Sequence, residues 1–219
     1  MTTAQQRLHH ALDALDRTAR PGPAVGGCEH CYTAGQLAAL AGPPALVPNS
    51  LLHSVAAKSP DHWTDFPTLY RRLAPRILRQ LTTGTLAVDG PLVADRLVAA
   101  GWPDWHRAEL VREVLDAWWP AALADPGADA AEVLGTLAVA TGTVTPWLRT
   151  WAETPTPTAN RHLADTLDRW LTYGELPDLR LGFHRDLPVG PEVAAWISDL
   201  PPHRIGEDRR YWLELALRD

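Results

Sequence analysis

The residues with the most evident chemistry lie in one tetrapeptide, Cys28-Glu29-His30-Cys31. Thr33 follows closely, with Gln36 three residues on, the signature of a capping box at a helix start. A helix N-terminus carries unpaired N–H groups and a partial positive charge, which stabilise a thiolate. Three chemistries fit this arrangement. A zinc site takes four protein ligands when structural, or three with an open position when catalytic. Cys28 and Cys31 supply two, so the others must come from His30, His53, His62, Asp61 or Asp65. A second CxxC is absent, and His53 and His62 are too far apart for the H-x3–5-H spacing. A redox dithiol also uses CxxC at a helix start, but that motif normally follows a strand in a βαβ unit, and none is readable. The third reading is packing, with two small thiols seating a loop on the core. It is preferred because no ligand set is complete.

Other clusters offer less. Asp61-His62-Trp63-Thr64-Asp65 holds two carboxylates and an imidazole, enough for general acid–base work, although helix capping by Asp61 or Asp65 is the simpler account. Ten tryptophans against two phenylalanines form an unusual aromatic set. They follow apolar helical stripes, so core filling is the expectation. If a pocket exists, Trp63, Trp102 and Trp105 are its best candidates, because they stand near helix ends. Arg71, Arg72, Arg76 and Arg79 place positive charge along one helix; a solvated face is the default, and docking to an acidic partner through Arg71 and Arg76 is the sharper version. G-x-S-x-G, a Walker lysine loop and HExxH are all missing.

The elements that must position these residues read as helical almost throughout. Leu8, Ala11, Leu12, Leu15 and Ala19 mark a first helix, closed by the Pro21–Gly27 loop. Thr33 opens a second, and Pro48-Asn49-Ser50 a third. Asp65 caps a helix running to Gly84, in which Pro75 should produce a kink or a break. Leu92–Ala100 forms a short helix, and Asp104 is expected to cap a strongly amphipathic one carrying Trp105 and Trp118. Asp129 with Glu132 opens another, Thr145-Pro146 begins a short one, and Leu163 to Leu171 a longer one. Glu175–Pro188 lacks helical period and is expected to be an ordered loop, followed by helices at Pro191–Leu200 and Glu207–Arg218. The reading is a single all-α domain over 1–219, with 1–27 as N-terminal helix and loop and 28–219 as the main body. About ten short helices in irregularly stacked pairs raise HEAT-like stacking, though no fixed period supports a regular solenoid.

Composition bounds the function. The chain has 219 residues, 46% hydrophobic and 21% charged, with net charge -6. That excludes disorder and argues against nucleic-acid binding, which rests on phosphate neutralisation. The only lysine is Lys58, so 19 of the 20 basic residues are arginine, a bias that fits a GC-rich bacterial genome. No signal-peptide run or spanning segment is present, so a cytoplasmic location away from membranes is expected.

Cys28-x-x-Cys31, then Leu73-Ala74-Pro75-Arg76-Ile77-Leu78, then Ala100-Gly101-Trp102-Pro103-Asp104-Trp105, together resemble an uncharacterised family of helical bacterial proteins with a CxxC, an LPRIL-type segment and a W..W helix start. The likeness spans roughly residues 28–120. Here Leu73-Ala74-Pro75 stands where the family has Leu directly before Pro. The resemblance implies an all-α fold and marks Cys28, Cys31, Pro75 and Arg76 without assigning them roles. The functional expectation is a protein-interaction or adaptor module, its partner another protein. The alternative is an enzyme of specialised metabolism with a Trp-lined pocket and a Cys/His zinc site.

Overall fold

A computed structural model describes residues 1–174 and 176–216. Glu175, at the start of the expected loop, and residues 217–219, at the end of the expected last helix, lie outside the described residues. Among those described, the protein is all-α apart from one two-stranded antiparallel sheet. The chain divides into two compact units, Thr3–Trp118 and the residues from Trp119 on.

The first unit contains α1 (Thr3–Asp16), α2 (Ala34–Ala41), α3 (Asn49–Ala57), α4 (Phe66–Thr82), α5 (Gly90–Ala99) and the start of α6 (Ala108–Ala124). Short 3₁₀ turns stand at Pro44–Leu46, Pro60–His62 and Trp102–Asp104. Local chemistry explains where the helices begin. Thr33 Oγ1 accepts from the Gln36 N–H at 3.3 Å while Gln36 Oε1 accepts from the Thr33 N–H at 2.8 Å. Asp65 accepts from the Thr68 N–H at 3.1 Å, with Pro67 in the first turn where its missing N–H costs nothing.

Helix α4 is the hub of this unit. It packs against α1, α3, α5 and the turns at Pro44–Leu46 and Pro60–His62. Tyr70, Leu73, Ile77 and Leu78 are buried on it. Pro75 is buried too, and α4 runs through it without a break. Contacts on several sides hold the segment helical despite the lost backbone bond. The arginines of α4 act as tethers. Arg72 donates to the carbonyls of Leu40 and Pro23. Arg76 donates to those of Pro44 and Val47 and to the Asn49 amide oxygen. Arg79 pairs with Asp13 and Asp16 of α1 at 2.7 and 2.6 Å.

The sequence places the start of α6 at Asp104; the structure moves it to Ala108. Trp102–Asp104 close a 3₁₀ turn instead, and Arg107 takes a left-handed φ of 68° before the helix begins. Trp105, His106 and Arg107 therefore sit outside the helix.

The second unit contains the rest of α6, then α7 (Ala130–Thr141), α8 (Thr145–Ala152), α9 (Pro157–Thr172), β1 (Arg180–Leu181), β2 (Leu187–Pro188), α10 (Gly190–Asp199), α11 (Pro202–Ile205) and α12 (Glu207–Ala216). Asp129 caps α7 by accepting from the Glu132 N–H at 3.1 Å. Helix α9 packs against α7, α11 and α12. Trp119 and Trp151 are fully buried, edge to face at 5.2 Å, and their indole N–H groups donate to the carbonyls of Trp147 and Ala159. Arg204 is buried and donates to the carbonyls of Trp151, Ala152 and Thr154. The β1–β2 hairpin, in register Arg180↔Pro188, occupies part of the stretch read as a loop. No helix among the described residues is long and apolar enough to cross a membrane.

Candidate metal centre

The CxxC meets one histidine. Gly27 and Trp63 form an isolated antiparallel bridge. The Cys28 N–H donates to the His62 carbonyl at 2.8 Å, and the Thr64 N–H to the Gly26 carbonyl at 3.0 Å. This pairing lays the loop before Cys28 along the strand-like residues between the Pro60–His62 turn and α4. Gly27 fits closely there: a Cβ would come to 3.1 Å from both Leu37 Cδ2 and Trp63 Cε3, tighter than an ordinary contact. Beyond the bridge the chain turns back on itself. The N–H groups of Cys31 and Tyr32 both donate to the Cys28 carbonyl at 3.0 Å.

The turn brings Cys28 Sγ, Cys31 Sγ and a ring nitrogen of His62 within 4.8 Å of one another, a group that could hold a metal ion. Cys31 Sγ lies 3.7 Å from His62 Nδ1. Cys28 is half-buried and Cys31 exposed. Tyr32 anchors the turn by stacking on Trp63 at 4.5 Å and by a 2.6 Å hydrogen bond between its hydroxyl and Ser54 of α3.

The electrostatics separate the two thiols. The backbone N–H of Cys31 holds the Cys28 thiol below its ordinary range, with the Cys31 thiol and the His30 N–H acting in the same sense. The Cys28 sulfur in turn pushes the Cys31 thiol up, with burial adding to it. Lys58, at the end of α3, favours the thiolate at both positions. The N–H groups that stabilise a lone thiolate are also those that would support a metal-bound sulfur.

Of the histidines proposed from sequence, His62 joins the cysteines. His53 does not: its Nε2 lies 3.2 Å from Gln80 Oε1 on α4. His30 is exposed and outside the cluster, contributing its backbone N–H. Asp65 serves its helix cap, and the Ser59 hydroxyl holds Asp61 below the usual carboxylate range.

Core filling, the expectation for the tryptophans, describes two of the three pocket candidates. Trp63 and Trp102 are 6% and 3% exposed and belong to the core. Trp105 is half-buried, and its indole N–H donates to the Ala100 carbonyl at 2.8 Å. Nearness to a helix end did not make these residues accessible, because the turns that carry them fold onto α4 and α5. Arg76 is likewise taken up internally by the carbonyls of Pro44 and Val47, while Arg71 is exposed on α4. Sequence reasoning had no means of preferring His62, since its only signal is a bridge between residues 36 apart in the chain.

Comparisons with protein-family models, curated proteins and solved structures return no match.

Proposed function

We propose that the chain is a zinc-dependent protein-interaction module. Zinc bound by Cys28, Cys31 and His62 pins the N-terminal loop to the segment entering α4, and the fourth coordination position faces the surface, where water or a group from a partner protein fills it. The observation that carries this reading is the convergence of three ligand atoms within 4.8 Å. Two thiolates and an imidazole are soft and borderline donors, which suit zinc and not the oxygen-seeking magnesium or calcium. The exposure of Cys31 favours interaction over catalysis, because metal-ion catalysis uses a dry, shaped cavity around the ion.

The test is elemental analysis of protein purified without added zinc. About one zinc per chain is expected, falling well below that in Cys31→Ser and in His62→Ala. Metal-free protein that folds normally and takes up no zinc on titration would overturn the reading. Replacement by cobalt checks the open position. Free thiol added to the cobalt form should shift its visible bands, and unchanged bands would show that the fourth position is already closed.

A further inference from the structure

The first unit carries a second feature, apart from the cysteine cluster. A cleft of about 570 Å³ opens between the end of α1, the loop that follows it, α4 and the residues before α6. Arg17, Arg20, Arg71, Arg72, His106 and Arg107 line it, and among the described residues no carboxylate does. Five guanidinium groups in one concavity stand out on a chain whose net charge is -6.

These arginines are not neutralised elsewhere. Among the described residues, the ion pairs engage Arg79, Arg169, Arg209 and Arg210, and none of the five in the cleft forms one. Two carboxylates feel their field, Asp13 that of Arg17 and Asp65 that of Arg71. Each is committed to another partner, Asp13 to Arg79 and Asp65 to the N–H of Thr68.

An independent observation comes from Arg72. Its side chain is only 9% exposed, and it lines both the cleft and a smaller adjoining hollow. Two of its nitrogens donate to backbone carbonyls, but Nε is buried with no partner. A buried charged group with an unused donor is costly, and such groups in native structures call for a partner. An oxyanion seated in the cleft would supply the missing countercharge to this half-committed guanidinium. Gly22 helps to make the seat, since a side chain there would run into the Arg72 guanidinium.

We propose that this cleft binds a polyphosphate anion, free or as the phosphate chain of a small molecule. Guanidinium forks match phosphate oxygens bidentately. A single carboxylate would leave most of the positive charge uncompensated, whereas a diphosphate or triphosphate brings several negative charges and many acceptors. The volume lies within the ~300–1,000 Å³ usual for small-molecule sites. The site is separate from the cysteine cluster, and its test does not depend on zinc.

The experiment is calorimetric titration of the full chain with inorganic pyrophosphate, triphosphate and ATP, using sulfate as control, before and after chelator treatment. Pyrophosphate and triphosphate should bind at least tenfold more tightly than sulfate and weaken in high salt. Arg71→Ala and Arg107→Ala should each lose tenfold or more. Both side chains are exposed and, among the described residues, make no hydrogen bond of their own, so melting temperature should stay at the wild-type value. ATP binding as tightly as triphosphate supports the phosphate chain as the recognised group, and tighter ATP binding supports a small-molecule phosphate ester. Phosphates that bind no better than sulfate, or variants that bind as the wild type does, would overturn the proposal. So would a single-stranded oligonucleotide that binds more tightly than triphosphate, because the site would then serve a polymer.

Discussion

Substituting Gly22 by alanine tests how the loop and α4 are locked together. The new methyl would overlap Arg72 Nη1 and sit 3.0 Å from both Cδ and Cζ. Arg72 has little room to retreat, being buried and tied to the carbonyls of Leu40 and Pro23. Hydrogen bonds to charged groups contribute about 1.5–3 kcal/mol each. The bond to Pro23 is long at 3.5 Å, so the tie to Leu40 is the main loss. Gly22 does not lie in the left-handed region, so alanine gains roughly 0.4–1 kcal/mol through a less flexible unfolded chain. The net expectation is a destabilisation of about 2 kcal/mol. Urea unfolding should show the midpoint falling by about 1 M with little change in slope. The decisive measurement is the double-mutant cycle with Arg72→Ala. Without the guanidinium the three nearest atoms are gone, so Gly22→Ala should lose its cost in that background and keep only the small gain from the stiffer unfolded chain. Equal cost in both backgrounds, or no cost in the wild type, would refute the reasoning.

Two further predictions concern titrating groups. The bond from Arg79 holds the Asp13 carboxyl below its ordinary 3.8. A carboxylate with a lowered folded-state pKa stabilises the fold above its unfolded value and loses that contribution as pH falls through the folded value. Helix α1 should therefore loosen from α4 below about pH 4, seen as lower amide protection relative to intrinsic exchange in Thr3–Asp16, and Asp13→Asn should weaken that dependence, the Asp16 pair to Arg79 remaining; protection in α1 that is flat with pH would contradict it. In metal-free protein, iodoacetamide should modify Cys28 before Cys31 near neutral pH, because Cys28 ionises more readily even though Cys31 is the more exposed. Peptide mapping that finds Cys31 alkylated first would reverse the assignment.

Helix starts were legible because caps are local. Thr33 with Gln36, Asp65 and Asp129 each satisfy donors within three residues of themselves. Asp104 misled because Pro103 and the left-handed Arg107 divert the chain through a 3₁₀ turn first. Of the kink or break expected at Pro75, the break is prevented by packing that spans α4, which no local rule contains. The cysteines were visible by spacing, whereas their histidine depended on a long-range bridge through two glycines. The arginine cleft was least legible. Its residues come from three separated stretches, and a compositional bias that looked genomic concealed both the cleft and the buried tethers Arg72, Arg76 and Arg204.

Lys58 has a consequence of its own. Within these 219 residues it is the one side-chain amine, it is exposed at the end of α3, and its charge favours the thiolate at both cysteines. Acylation neutralises an ammonium, so side-chain acetylation of this chain has a single address, next to its most reactive pair. An amine-directed reagent that spares backbone termini would thus act on thiol ionisation through one defined position and leave every other positive charge in place.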